Sequence, residues 1–222
     1  MDSMALRQLV PGVYLIDNKL ATLTLARGYK VYGEELIVID GKEYRLWNPY
    51  RSKLAAAMKV GMRNFNIRLG DGVLYLGAAT GTTASHVSDI VGKEGRVYGL
   101  ELSERNMREF IGVCEHRSNM LPILADARYT DSYNGTVGQC DVIYQDVSAR
   151  DQAHILLENS KFLKKGGLAY FVIKSQSVDI SKRPEEVYRN VLDRLKGRFS
   201  ILERMSLEPY DSLHLFTVLR KI

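Results

Sequence analysis

The sequence predicts an α/β protein: a mostly parallel sheet with helices on both faces and a small β domain ahead of it. Three observations carry that expectation. Residues from Met1 to about Trp47 read as short strands broken by turns. From Asp71 onward, strand-like and helix-like stretches alternate. The last two strand-like stretches have no helix between them, so they pair as an antiparallel hairpin. The expected division is 1–47 for the β domain and 48–222 for the α/β domain.

In the β domain, Val13–Ile16, Ala21–Leu25 and Leu36–Ile39 are strand-like, and Asp40-Gly41 between apolar runs is a hairpin signal. WNPYRSKLAAAMKVG then opens a helix, with Asn48 as N-cap, Pro49 as first helical residue and Gly61 as its end. Val73–Leu76 is a short apolar strand, and Thr83–Val91 a helix with Gly92 beyond it. Arg96–Leu100 is a strand, after which Ser103 caps a helix reaching about His116. Leu121–Leu124 and Cys140–Tyr144 are strands, and Asp151–Leu163 is a helix ended by Gly166-Gly167. Leu168–Ile173 is a strand, Pro184–Leu195 a helix, and Ser200–Leu207 with Leu213–Leu219 form the closing hairpin.

Composition bounds the function. An apolar content of 45% suits a globular chain with a real core. The formal charge of +5 permits a nucleic-acid partner without demanding one. Only Cys114 and Cys140 occur, so a disulfide framework is not expected, and a reducing compartment is the simpler reading. No signal peptide and no membrane-length apolar run is seen. His86, His116, His154 and His214 are scattered, with no zinc-site spacing, so no metal is expected.

In parallel sheets, ligands sit outside the carboxyl ends of the strands. Three acids fall there: Glu101 after VYGL, Asp126 after ILA and Asp146 after VIYQ. A carboxylate after the second strand suits a ribose, because it accepts from both hydroxyls. One after the third suits an adenine amino group. YLGAATGTT, residues 75–83, runs from strand into a small-residue loop that lets backbone approach a ligand. Its spacing does not match the G-x-G-x-x-G of dinucleotide sites. S-adenosylmethionine has no phosphate to cradle and suits the loop and the acids better.

Longer strings carry a family resemblance: WNPYRSKLAAA, VLYLGAATGTTASHVSDIVG, ILADAR, DVIYQDV, FVIKSQS and LEPYDSLHLF, in that order from Trp47 to the C-terminus. Together they resemble fibrillarin, the RNA 2′-O-methyltransferase of box C/D ribonucleoproteins, in its archaeal form without a Gly/Arg-rich tail. The resemblance implies a Rossmann-like S-adenosylmethionine-dependent methyltransferase fold with a small N-terminal β domain, working in the cytoplasm. It implies a cofactor site: Gly77, Thr82 and Thr83 in the loop, Glu101 and Leu102 at the ribose, Asp126 and Ala127 at the adenine, and Asp146, Val147, Ser148 and Ala149 along the methyl-donor end. There the chain departs from the family's common Asp-Val-Ala-Gln. It also implies a catalytic tetrad of Lys53, Asp146, Lys174 and His214.

The reaction so implied is in-line displacement of a methyl group by a ribose 2′-oxygen. Alignment supplies roughly 7–11 kcal/mol of such a barrier, and a positioned base about 10²–10⁴-fold in rate. Lys174 is expected either to take the proton or to stabilise the developing alkoxide, Asp146 to orient Lys174, and His214 to orient the ribose or pass the proton on.

No acid occurs between Glu43 and Asp71, a span with Arg45, Arg51, Lys53, Lys59, Arg63 and Arg68 and the aromatics Tyr44, Trp47, Tyr50 and Phe65. Cations interleaved with aromatics suit an RNA-facing strip. Arg45, Arg51, Lys53 and Arg63, with Lys182 and Arg183 as a second patch, are the expected RNA contacts. No base-reading module is present. The resemblance therefore assigns target choice to a guide RNA paired with the target RNA, held by a Nop-family scaffold protein and a kink-turn-binding ribosomal-type protein. Two rival readings remain: a structural subunit that keeps the cofactor slot, and a nicotinamide-dependent dehydrogenase, which Glu101 suits but the loop does not.

Overall fold

Five strands precede Trp47 in the computed structural model, which describes residues 5–222; the first residues of the expected β domain lie outside the described ones. They are β1 (Leu6–Val10), β2 (Val13–Ile16), β3 (Lys19–Leu23), β4 (Leu36–Ile39) and β5 (Lys42–Leu46). All pair antiparallel, in the order β1-β2-β3-β5-β4. Asp40 and Gly41 form the two-residue turn between β4 and β5, with φ of 49° and 74°, the left-handed pair that matches strand twist.

Helix α1 (Lys53–Lys59) starts at Lys53 rather than at Pro49. Asn48 caps a turn instead: its Oδ1 accepts from the Tyr50 N–H at 2.8 Å and its carbonyl from the Arg51 N–H at 3.1 Å. The helix is capped by Ser52, extended at φ −146° and ψ 114°, whose hydroxyl accepts from the Ala55 N–H.

Then follow β6 (Gly72–Leu76), α2 (Thr82–Val91), β7 (Arg96–Glu101), α3 (Glu104–Glu115), β8 (Met120–Leu124), β9 (Cys140–Gln145) and α4 (Gln152–Asn159). The chain closes with β10 (Leu163–Lys174), α5 (Ser175–Val178), α6 (Pro184–Asp193), β11 (Phe199–Leu207) and β12 (Asp211–Lys221). The second sheet runs β11-β12-β10-β9-β6-β7-β8, parallel from β10 to β8 and antiparallel at β12 and β11. Gly166-Gly167 does not end a helix. Helix α4 stops at Asn159 and a 3₁₀ turn over Ser160–Phe162 leads into β10. Gly166, at φ 77°, lies where the register against β9 shifts between Leu163 and Leu168, so the glycines mark a bulge inside the strand.

The central strand β6 shows why the strands read as nearly continuous apolar runs: both of its faces are covered. Val73 and Tyr75 pack with residues of α1, α2 and α3, and with Val13, Leu15 and Leu20 of the first sheet. Leu74 and Leu76, pointing the other way, pack with residues of α4 and α6. The first sheet thus shares a core with the second. Among the described residues no helix is long and apolar enough to cross a membrane.

Arg45, expected to face RNA, is fully buried. It sits on β5 opposite β3, and its guanidinium reaches Glu34 Oε1 at 2.6–2.7 Å, Asp89 Oδ2 at 2.8 Å and Ser85 Oγ at 2.9 Å. A buried guanidinium is tolerable only when its charge is matched and its donors are used. Burial works against the charge, but Asp89 and Glu34 outweigh it and hold the guanidinium above its ordinary value. Tyr44 and Trp47 are also buried, so the inner half of the expected strip is core.

Beside this network lies His86 on α2, fully buried and stacked on Trp47 with ring centroids 4.8 Å apart. Thr22 Oγ1 donates its single proton to Asp89 Oδ2 at 2.8 Å. The equally short contact from Thr22 to His86 Nδ1 therefore has the imidazole donating, and Nε2 lies 2.8 Å from the Tyr32 hydroxyl, which is also 3.1 Å from the Leu46 carbonyl. Burial, then the charges of Arg45 and Arg117, push this imidazole well below its ordinary value, so it is neutral.

Candidate functional site

The three acids predicted at strand ends converge. Glu101 is the last residue of β7, Asp126 follows β8, and Asp146 follows β9 directly. All three line one cavity of about 740 Å³, with Gly77, Leu102, Ala127, Val147, Ser148, Ala149 and Lys174. A second cavity, about 470 Å³, is lined by Leu20, Tyr32, Trp47, Pro49 and Arg51 and holds none of the three acids.

The loop after β6 is shaped by backbone geometry. Gly77 has φ of +84°, and a Cβ there would lie 3.0 Å from the Asp146 carbonyl oxygen, so only glycine lets β6 and β9 approach at their ends. Ala79 adopts φ of 48°, unusual for a residue with a side chain. Its N–H donates to Glu101 Oε2 and the Ser103 N–H donates to Glu101 Oε1, both at 2.8 Å. Each oxygen of this nearly buried carboxylate is fixed by one backbone donor and keeps a lone pair for a second.

Asp126 is held differently. Arg128 Nε lies 3.1 Å and 3.0 Å from its two oxygens, Nη2 is 2.6 Å from Oδ2, and the Arg128 N–H donates to Oδ1 at 3.0 Å. These contacts hold the Asp126 carboxyl below its ordinary value. Arg128 also lines the cavity, and sequence reasoning missed it. The signal was present in ILADAR, an acid and a guanidinium two residues apart.

At the end of β9, Asp146 lies between two lysines. Lys53 Nζ, from the first turn of α1, donates to Asp146 Oδ2 at 3.0 Å. Lys174 Nζ, from the last residue of β10, is 2.9 Å from Asp146 Oδ1 but out of line for a hydrogen bond. It donates instead to the Asp146 carbonyl at 2.8 Å and to Ser148 Oγ at 3.1 Å. Residues 93 and 28 positions from Asp146 thus meet it at one point. The Ser148 hydroxyl is thus a direct partner of Lys174.

His214 is the strand neighbour of Lys174, its register partner across β10 and β12. Its Nδ1 lies 2.7 Å and 2.8 Å from the carboxylate oxygens of Asp211. Burial raises the Asp211 carboxyl, but hydrogen bonds from His214 and from the Leu213 N–H outweigh it and bring it below its ordinary value. The ionised Asp211 orients the ring.

Thr82 and Thr83 do not line the cavity. Thr83 is buried, and its hydroxyl donates to Ser52 Oγ at 2.9 Å. Of the expected RNA contacts, Arg51, Arg63, Lys182 and Arg183 are exposed, Lys53 is turned toward Asp146, and Arg45 is interior. Lys182 is 3.5 Å from Glu186 and 4.0 Å from Asp179.

A family model described as Fibrillarin matches residues 5–221. The chain belongs to the fibrillarin family. The fibrillarin-like rRNA/tRNA 2′-O-methyltransferase of Pyrococcus furiosus is 48% identical over 217 residues, covering 95% of this chain and 96% of that one. Among solved structures, Aeropyrum pernix fibrillarin in complex with natively bound S-adenosyl-L-methionine is 39% identical with a TM-score of 0.89, covering 98% of this chain and all of that one. A chain of a fibrillarin/Nop5p complex is 38% identical with a TM-score of 0.88, covering 97% of this chain and all of that one. The fibrillarin strings of the sequence thus extend into a shared architecture over the whole described chain.

Proposed function

We propose that the chain methylates ribose 2′-hydroxyls of rRNA and tRNA with S-adenosylmethionine, as the catalytic subunit of a guide-RNA-directed box C/D ribonucleoprotein. The observation that carries this reading is the Asp146 carboxylate between Lys53 and Lys174, at the edge of a cavity lined by Glu101.

The residues present suit the cofactor. The cavity lies within the usual range of about 300–1,000 Å³ for small-molecule sites. Leu100, Ala127, Val147 and Ile155 supply apolar wall, and Glu101 offers two fixed acceptor oxygens to a ribose diol. Asp126 would meet an adenine amino group only beside Arg128, which already holds its carboxylate. When bound, S-adenosylmethionine supplies a methyl group already activated on a sulfonium. The chain has to align the 2′-hydroxyl behind that carbon and deal with its proton. We assign the proton, or the negative charge left by its departure, to Lys174, with Asp146 and Ser148 fixing Lys174 in place. Lys53 balances the second oxygen of Asp146, and His214, oriented by Asp211, stands on the adjacent strand to position the ribose.

Arg51 and Arg63, with the exposed Tyr50, form the RNA-facing part of the basic strip, and Lys182 and Arg183 the second patch. Guide RNA, a Nop-family scaffold and a kink-turn-binding protein complete the assembly, which we place in the cytoplasm. The Nop5p complex of a relative supports the scaffold.

The test is transfer of labelled methyl from S-adenosylmethionine to a guide-paired RNA in the assembled complex. Label is expected on a target with a 2′-hydroxyl and not on one with a 2′-deoxy group at the same position. Label on both would overturn the reading.

A further inference from the structure

Thr83 stands in the first turn of α2, where a cofactor contact was expected, and its hydroxyl is bonded to a serine of another element. It donates at 2.9 Å to Ser52 Oγ, and both residues are buried, at 8% and 3% exposure. Ser52 is no ordinary neighbour. It is the N-cap of α1, its hydroxyl accepts from the Ala55 N–H at 3.3 Å, and the next residue is Lys53. Lys53 reaches Asp146 Oδ2 at 3.0 Å from a side chain still 22% exposed. The hydroxyl pair therefore pins the first turn of α2 to the first turn of α1 directly behind a lysine of the site.

Helix α1 spans only Lys53–Lys59, and its start lacks the acid that commonly stabilises a first turn. A seven-residue helix frays readily unless it is tied down. The body of α1 is held by the burial of Leu54, Ala55, Ala56 and Ala57. Its N-terminus depends on the cap. Ser52 Oγ can accept both the Ala55 N–H and the Thr83 hydroxyl, so one atom closes the helix and anchors it to α2.

We propose that Thr83 is a positioning residue for the methyl-transfer reaction: through Ser52 it sets where Lys53 enters the site. This rests on the proposed methyltransferase reading. The α2 end of this clamp opens at Gly81, whose φ of +91° and close approach to Phe110 leave no room for a side chain. Displacement of a reacting constellation by about 1 Å can cost about 10²-fold in rate, so a clamp remote from the cavity can still act on turnover.

The experiment compares wild type, Thr83→Val and Thr83→Ser in three measurements. The first is acylation of Lys53 in the free protein, followed by mass spectrometry. The second is the Kd for S-adenosylmethionine by calorimetry. The third is kcat in the assembled complex at saturating RNA and cofactor. Thr83→Val is expected to acylate faster at Lys53, to keep the cofactor Kd, and to lose about ten- to a hundredfold in kcat. Thr83→Ser restores the hydroxyl and is expected to restore all three values. A Thr83→Val protein that binds S-adenosylmethionine more weakly, with Lys53 acylation unchanged, would make Thr83 a cofactor ligand and overturn the proposal. So would wild-type values throughout. A wild-type complex without methyl transfer would overturn the activity reading instead, while Lys53 acylation still decides the clamp.

Discussion

Asp89 and Asp146 are each a carboxylate between two cations, and they could hardly be used more differently. Asp89, on α2, has a side chain with no solvent exposure. Its Oδ1 accepts from the Leu25 N–H and from Arg117, and its Oδ2 from Thr22 and Arg45. Four donors use the acceptor capacity of the group, and the network ties the first sheet to α2 and to the end of α3. Asp146 has a side chain 17% exposed, one directed donor to Oδ2 from Lys53, and no aligned donor to Oδ1. The cations differ as well. Arginine holds its proton at any working pH and forms planar forks, whereas lysine is a rotatable point charge able to exchange a proton. A closed cluster with arginines is a joint; an open one with lysines is a workplace.

The comparison is broken most sharply at Lys174. Its replacement by alanine is expected to lower kcat in the assembled complex by about 10²–10⁴-fold, with the thermal midpoint of the free protein nearly unchanged. A large loss of stability would place Asp146 in the same class as Asp89. The reverse holds for Asp89→Ala, which strands Arg45 and Arg117 in the interior. A loss of about 3–5 kcal/mol is expected in urea unfolding. A loss below about 1 kcal/mol would mean that water replaces the carboxylate and that the joint is not closed.

A pH series sharpens the contrast. Burial raises the Glu34 carboxyl, but Arg45 and the N–H groups of Tyr32 and Val31 outweigh it, and the folded value lies below the ordinary one. Such a carboxylate contributes stability in full above its unfolded value and loses it as pH falls through the folded value. Wild type should therefore exceed Glu34→Gln in urea midpoint at neutral pH, with the gap closing in acid. A gap that widens in acid would reverse the assigned direction. The smallest effect belongs to Ser148→Ala, which removes one hydrogen bond to Lys174. A fall in kcat of about two- to tenfold is expected, with cofactor Kd unchanged in calorimetry.

What the sequence made legible were features that local chemistry dictates. The Asp-Gly hairpin, the apolar run of β6 and the acids after β7, β8 and β9 are each specified by neighbours within a few residues. Arg45 was not legible. On a strand covered by α2, the period of two sent Tyr44 and Arg45 to opposite faces, and the partners that make a buried guanidinium tolerable, Glu34 and Asp89, are 11 and 44 residues away. Asn48 and Ser52 are both good caps, and it is Ser52 that caps the helix, with a second bond from Thr83, 31 residues on. Gly166-Gly167 reads as a helix stop by composition, and only pairing with β9 reveals a bulge. At the site, the convergence of Lys53, Asp146 and Lys174 was legible through family strings, whereas the bond of Thr83 to Ser52 and the hold of Arg128 on Asp126 required coordinates.

The antiparallel strand β12 lies between β11 and β10, so an inner strand of the sheet follows both of its neighbours in chain order. Until it inserts, β10 has an open edge, and Lys174 lacks the neighbour that carries His214. We expect β12 to join a sheet already formed from β10 to β8, so that the catalytic set is completed late in folding. Pulse-labelled hydrogen exchange during refolding would report this directly, the β12 amides gaining protection after those of β6 and β9.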